Sequence, residues 1–160
     1  MGIPALTAEG HLPPGRHASD LAELKSVFVD QAPHREWRQG IYSALEAWLG
    51  LVLPYVPGAL LWIDGGFVTH KSEAPKDVDV VVIPARGQLT SDVEAALEPF
   101  MTRVDHARGL KVQPMNGLVD GFVVPRGEGL GIWNFQWQVI LDDDRQPVPG
   151  VSKGYLEVAT

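Results

Sequence analysis

The chain has no cysteine among its 160 residues. This absence excludes a disulfide-stabilised scaffold, a thiol nucleophile and cysteine-ligated zinc. No apolar run approaches the roughly 20 residues that a membrane-spanning helix needs. Residues 1–17 also lack the basic segment and apolar segment of a secretory signal. We therefore expect a soluble, cytoplasmic protein that does not enter a membrane.

The chain has fewer basic than acidic residues. The chain has 13 Lys and Arg against 20 Asp and Glu, which gives a formal net charge of −7. A protein that holds long nucleic acid through its phosphates needs a basic face, so we expect no bulk DNA binding. A small nucleotide, a protein or a local contact with an RNA end remains compatible with this charge. At 45% apolar residues, the chain can build a core.

The remaining pattern predicts one mixed α/β (α+β) domain, with a small mixed sheet flanked by helices. Residues 1–17 are rich in Gly and Pro, so we interpret them as an extended N-terminal arm or a frayed end, and 18–160 as the domain. Ser19 is expected to cap the first helix, and Ser91 with Glu94 to form a capping box. The predicted helices cover 19–31, 34–52 and 91–101, and the predicted strands cover 59–63, 78–83, 118–124 and 154–158.

Residues 133–141 fit two interpretations. The apolar residues of this segment alternate as they would in a strand, but several of them would also share one face of a helix. Both alternatives therefore stay open on periodicity alone. The residues that follow, 142–147, are expected to form a loop.

Acidic residues near the ends of predicted strands carry the functional signal. Asp77 and Asp79 open a strand two residues apart, so both side chains project from one face. Two neighbouring carboxylates repel each other unless a cation lies between them, and Mg²⁺ prefers such hard oxygen ligands. Gly65-Gly66 precede them and offer backbone N–H groups that a phosphate can approach closely. Asp120 lies in the next predicted strand and can join the pair if the two strands are neighbours.

This arrangement resembles the DNA polymerase β-like nucleotidyltransferase superfamily. The shared features are an apolar strand followed by Gly-Gly, then Asp-x-Asp in a strand, then one carboxylate on a later strand. The chain is more similar still to small, poorly characterised nucleotidyltransferase-like proteins of bacteria and phages. That similarity extends to Leu12-Pro-Pro-Gly15, Gly65-Gly-Phe-Val-Thr69, Asp144-Arg145 and Lys153-Gly-Tyr-Leu-Glu-Val158. In such proteins the segment 133–141 is helical, so the resemblance favours a helix there.

The resemblance implies two-metal transfer of a nucleoside monophosphate (NMP) from a nucleoside triphosphate such as ATP to a hydroxyl group. Asp77 and Asp79 would bridge two Mg²⁺ (or Mn²⁺) ions, and Asp120 would bind the catalytic ion and help to deprotonate the acceptor. Gly65 and Gly66 would hold the triphosphate. The lysines expected to neutralise phosphate charge are Lys71, Lys76 and Lys153. The acceptor would be a protein, an RNA end or a small molecule.

One position departs from the family pattern. Gly66 stands where the motif usually has a serine, which removes a hydroxyl that contacts phosphate, and the arginine that often follows is also missing. An alternative is therefore a catalytically weakened nucleotidyltransferase-like domain. Such a domain would act by binding a nucleotide or a partner protein, as in a toxin–antitoxin or phage–host pair.

Overall fold

The fold is known from a computed structural model that describes residues 2–127 and 129–160. The helices are α1 (Leu21–Lys25), α2 (Arg35–Val52), α3 (Ser91–Leu97) and α4 (Gly129–Trp137). The strands are β1 (Gly15–Ser19), β2 (Leu60–Asp64), β3 (Val78–Ile83), β4 (Arg103–Asp105), β5 (Leu110–Val112), β6 (Val119–Val123), β7 (Val139–Leu141), β8 (Pro147–Ser152) and β9 (Gly154–Ala159).

The central sheet has five strands in the order β1-β9-β2-β3-β6. The outer pairs β1–β9 and β3–β6 are parallel, whereas β2 is antiparallel to both β9 and β3. Two small antiparallel pairs, β4–β5 and β7–β8, lie apart from this sheet. The prediction of a mixed α/β domain with a small mixed sheet is confirmed.

Helices cover both faces of the central sheet. The apolar side of α2, including Ile41, Leu45 and Trp48, packs in one core with alternate residues of the central strands. The opposite face presents Trp62 of β2 and its neighbours to the aromatic side chains of α4. Because strand side chains alternate, Asp64, Asp79 and Asp120 all belong to this second face. The sheet therefore carries its acidic residues on the α4 side.

The N-terminal arm is part of the domain, and the frayed-end interpretation is wrong. Leu12 is buried in the core, and residues 15–17, which were assigned to the arm, begin strand β1. The expected cap at Ser19 is also wrong, because the Asp20 side chain accepts a hydrogen bond from Glu23 N at 2.7 Å. Ser19 instead ends β1. The strand was missed because its Gly- and Pro-rich surroundings give no periodic signal, and its partner lies at the other end of the chain.

The ambiguous segment contains both predicted structures in succession. Helix α4 runs to Trp137, and the strand β7 begins at Val139. The predicted loop at 142–147 is short, because β8 starts at Pro147 and pairs back onto β7. Helix α3 begins near the predicted position, but Thr90 rather than Ser91 caps it, accepting from Val93 N at 3.3 Å. No helix within the described ranges is both long and apolar enough to cross a bilayer.

Candidate active site

Three carboxylates form a row across three adjacent strands, near the end of β2 and the starts of β3 and β6. Asp79 on β3 is the register partner of Asp64 on β2 and of Asp120 on β6. Directly opposite residues on neighbouring strands have Cβ atoms about 4.5–5.5 Å apart and point to the same face. The strand β6 thus lies beside β3, as the predicted role of Asp120 requires. The sequence analysis missed Asp64, which was treated only as the start of a turn, because its place in the row depends on strand register.

Lysines pair with the two outer carboxylates of the row. Lys153 Nζ lies 2.5 Å from Asp64 Oδ1, and both side chains are largely buried. Lys111, on β5, pairs with Asp120 Oδ2, and Thr102 Oγ1 donates to Asp120 Oδ1 at 2.8 Å. The sequence predicted Lys153 as a phosphate ligand and gave no sign of Lys111 or Thr102. In the structure Lys153 contacts the Asp64 carboxylate, and its role as a phosphate ligand stays a prediction.

Asp79 lies in the middle of the row, with acidic side chains around it. Its burial, followed by the charges of Asp77, Asp64 and Asp120, raises the pKa of the Asp79 carboxyl to about 7, against a partial lowering by Lys153. Burial also raises the pKa of Asp64, although Lys153 counteracts this shift. The centre of the row therefore has an excess of negative charge that the neighbouring lysines do not balance.

Asp77 lies beside the row rather than in it. It directly precedes β3 and is half-buried, and its Oδ2 accepts a hydrogen bond from Gln113 Nε2 at 2.7 Å. Its charge is close enough to contribute to the raised pKa of Asp79. The structure thus brings together the three predicted acids and adds Asp64 to them.

The two glycines after β2 have different roles. Gly65 has φ 82° and ψ −167°, a conformation that is essentially restricted to glycine. A Cβ atom at this position would also overlap with Asp79 Oδ2. At Gly66 the nearest atom to an added Cβ is Pro75 Cβ at 3.6 Å, which is ordinary contact. Gly65 is therefore required for the close approach of the Asp79 carboxylate, whereas the space at Gly66 would accept a side chain.

A buried arginine holds the segment that follows these glycines. Arg38 on α2 is fully buried, and its guanidinium donates to Phe67 O at 2.6 Å and to Thr69 O at 2.8 Å. It also donates to Phe28 O at 3.0 Å and to Pro33 O at 2.7 Å. Burial lowers the pKa of this guanidinium, but arginine stays charged in proteins. Sequence reasoning missed Arg38 because its partners are backbone carbonyls from distant segments.

Two adjoining cavities open onto the carboxylate row. The smaller, of about 590 Å³, has Asp64, Asp79 and Lys153 on one side and apolar residues of α4 and β7, such as Trp137, on the other. The larger, of about 1260 Å³, is lined by Asp77, Asp79 and Asp120 together with their polar neighbours. The smaller cavity, with a mostly apolar lining and a few polar groups, has the size that is typical of a small-molecule site.

The predicted phosphate ligands are distributed over these cavities. Gly66 and Lys71 lie on the walls of both, Gly65 and Lys153 line the smaller one, and the exposed Lys76 lines only the larger one. All five therefore lie near the carboxylate row.

The carboxylates have the chemistry of a divalent-metal site but are not gathered around one point. Among residues 2–127 and 129–160, no group of three or more His, Cys, Asp or Glu side chains is arranged to hold a metal ion. In this arrangement Asp64 and Asp120 are turned to lysines, which supply positive charge. Asp77 and Asp79 have no such lysine partner in the part of the chain that the structure describes. Their oxygen donors are of the kind that a divalent ion prefers, but Lys111 occupies Asp120 in this arrangement.

Comparisons with known proteins define the family but no activity. Neither the curated proteins nor the solved structures contain a match to this chain. A family model matches residues 4–159, which is nearly the whole chain and includes both the arm and β9. The chain belongs to this family, which is described as a family of unknown function (DUF6932).

Proposed function

We propose that this protein is a Mg²⁺- or Mn²⁺-dependent nucleotidyltransferase with a nucleotidyltransferase-like fold. It would move an NMP group from a nucleoside triphosphate to a hydroxyl acceptor on a protein, an RNA end or a small molecule. The observation that carries the proposal is the row of Asp64, Asp79 and Asp120 in register on three adjacent strands, next to the Gly65 turn. The likeness of the sequence motif to the superfamily supports the same activity.

The acidic cluster supports a metal-dependent reaction. Carboxylate oxygens are preferred ligands of Mg²⁺. Burial, and then the charges of Asp77, Asp64 and Asp120, raise the pKa of Asp79, so a cation bound here would stabilise the ionised carboxylate. Asp77 and Asp79 would hold the ions, joined by Asp120 once Lys111 is displaced. Bound there, the ions would stabilise the attacking and leaving oxygens of an in-line displacement.

The protein side chains would orient the reactants and accept the proton. The acceptor oxygen forms a bond to the α-phosphorus, the bond from that phosphorus to the bridging oxygen breaks, and pyrophosphate leaves. Asp120 would accept the hydroxyl proton, because its carboxylate is held in place by Thr102. The Gly65-Gly66 backbone would approach the triphosphate, and Lys71, with Lys76 further out, would face its negative charge.

A second candidate is a weakened domain that binds a nucleotide or a partner protein without transferring a group. Two observations favour it. Lysines already neutralise two carboxylates of the row, and Gly66 lacks the hydroxyl of the family motif. In this candidate Lys111 would stay on Asp120 in the working protein, and the cavities would serve binding alone.

Label transfer separates the two candidates. The protein is incubated with each α-³²P-labelled nucleoside triphosphate, Mg²⁺ or Mn²⁺, and a bacterial lysate that supplies acceptors. Transfer by the wild type that is lost in Asp77→Ala and Asp79→Asn supports the enzyme. The matched control is Asp144→Asn, which removes an exposed carboxylate outside the row. No transfer, together with nucleotide or partner binding that survives in both site variants, supports the binding domain and overturns the enzyme.

A further inference from the structure

One buried histidine has no structural explanation. Three other histidine rings pair through Nε2 with a backbone carbonyl, as His17 does with Pro13 O at 2.7 Å. His11 is only 8% exposed, and its Nδ1 is buried without a hydrogen-bond partner among the described residues. Leaving a buried polar atom without a partner destabilises the folded state. A buried polar atom that lacks a hydrogen-bond partner in a folded protein needs an explanation.

The backbone around His11 is held firmly in place. His11 O accepts from Thr7 N at 2.8 Å, and the neighbouring Leu12 O accepts from Gly154 N at 3.0 Å. Gly10 O accepts from His70 N at 2.8 Å. A Cβ atom on Gly154 would overlap with the backbone of the arm, so the arm lies tightly against the start of β9. The position of the imidazole is therefore built into the fold and is not the result of a loose terminus.

The imidazole lies where a polyanion would bind. His11 lines both cavities, together with Lys71, Gly66 and Asp79. Its pKa is lowered by burial and then by the positive charges of Lys71 and Lys153, while Glu9 acts weakly in the opposite direction. The lowered pKa favours the neutral ring, which carries one N–H. Because Nδ1 is buried, a ligand in the cavities can meet the ring only at Nε2. An Nε2–H on the same wall as Lys71 and Lys153 suits the oxygens of a phosphate chain.

We propose that His11 contacts substrate, donating its Nε2–H to a non-bridging oxygen of a polyphosphate beside Lys71 and Lys153. The assignment of that polyphosphate to a nucleoside triphosphate rests on the proposed function. The contact itself needs only a linear phosphate chain in the cavity. The N-terminal arm then supplies part of the binding site as well as a strand of the sheet.

Binding of inorganic tripolyphosphate in excess Mg²⁺, measured by isothermal titration calorimetry, tests this contact. A hydrogen bond to a charged group contributes enough that His11→Leu should weaken binding by about tenfold or more. His11→Gln keeps an N–H donor and should recover part of the affinity. His106→Leu, at an exposed histidine outside both cavities, is the matched control and should bind as the wild type does.

The thermal midpoint of the free protein gives a second measurement. Because His11→Leu removes a buried atom without a partner, its midpoint should equal or exceed that of the wild type. A lowered midpoint would show a structural role and overturn the inference, as would unchanged tripolyphosphate affinity in His11→Leu or an absence of wild-type binding. Tripolyphosphate binding that depends on His11 in a protein without label transfer would sustain the inference and refute nucleotidyl transfer.

Discussion

The central carboxylate of the row should destabilise the metal-free protein. In Asp79→Asn the amide has the shape of the carboxylate but carries no charge. The ordinary pKa of an aspartate is 3.8, whereas burial and the surrounding acids raise that of Asp79 to about 7. A group whose pKa is raised by folding contributes stability below its unfolded pKa and loses it as the pH rises through the folded value. Folding therefore becomes less favourable as Asp79 ionises.

The size of this effect follows from the shift. A difference of roughly 3 pH units corresponds to about 4 kcal/mol at 1.36 kcal/mol per unit. The loss begins near pH 4, grows up to about pH 7 and is constant above that. Asp79→Asn should thus be as stable as the wild type at about pH 4 and more stable by up to about 4 kcal/mol at about pH 8.

Urea unfolding of both proteins across this pH range measures the difference. Asp144→Asn serves as the control, because it removes one carboxylate charge at an exposed position outside the row. Mg²⁺ at about pH 8 should raise the stability of the wild type and leave Asp79→Asn nearly unchanged. A variant that is less stable than the wild type at both pH values would refute the reasoning, since it would mean that the Asp79 charge is well compensated in the fold.

Four further substitutions test the contacts around the row. Gly65→Ala should cost about 1–3 kcal/mol of unfolding free energy through its backbone conformation. Gly66→Ala, measured alongside it, should be near neutral, and equal losses would contradict the assigned difference between them. Lys111→Met should lower the free energy of unfolding by only about 1–2 kcal/mol, because the lysine of the pair is half-exposed. Mg²⁺ should then stabilise this variant by more than it stabilises the wild type. Gly121→Ala places a Cβ 2.5 Å from Trp48 Cζ2 and should cost about 1–3 kcal/mol of unfolding free energy, so an unchanged thermal midpoint would contradict this close packing.

Local patterns were enough to predict the central elements of the fold. The β-branched run at 78–83 gave strand β3 with the observed bounds, and the apolar periodicity of 34–52 predicted helix α2 to within a residue. Asp77, Asp79 and Asp120 were predicted as site residues from the strand pattern, and the predicted strands place Asp79 in β3 and Asp120 in β6. These parts of the structure depend on residues that are close together in the sequence.

The rest of the site depends on contacts between distant segments. Asp64 joins the row through the register of β2 with β3, and Lys111 reaches Asp120 from a hairpin that has no strong periodicity. Arg38 and His11 are polar residues whose burial is set by tertiary packing. Sequence patterns do not encode strand register or the partner of a buried charge, so these four residues could be assigned only from the structure.

The position of β9 between β1 and β2 has a consequence for the order of folding. The strands β2, β3 and β6 are complete once residue 123 is in place, so the carboxylate row can assemble early. Lys153 and the strand β9, which pairs with β1, follow β6 by about thirty residues in the sequence. Pairing between such distant segments is slow, because a long loop must close before the contacts form. We expect a nascent chain to gather its negative charges together with Lys111 first and to acquire Lys153 only when β9 pairs.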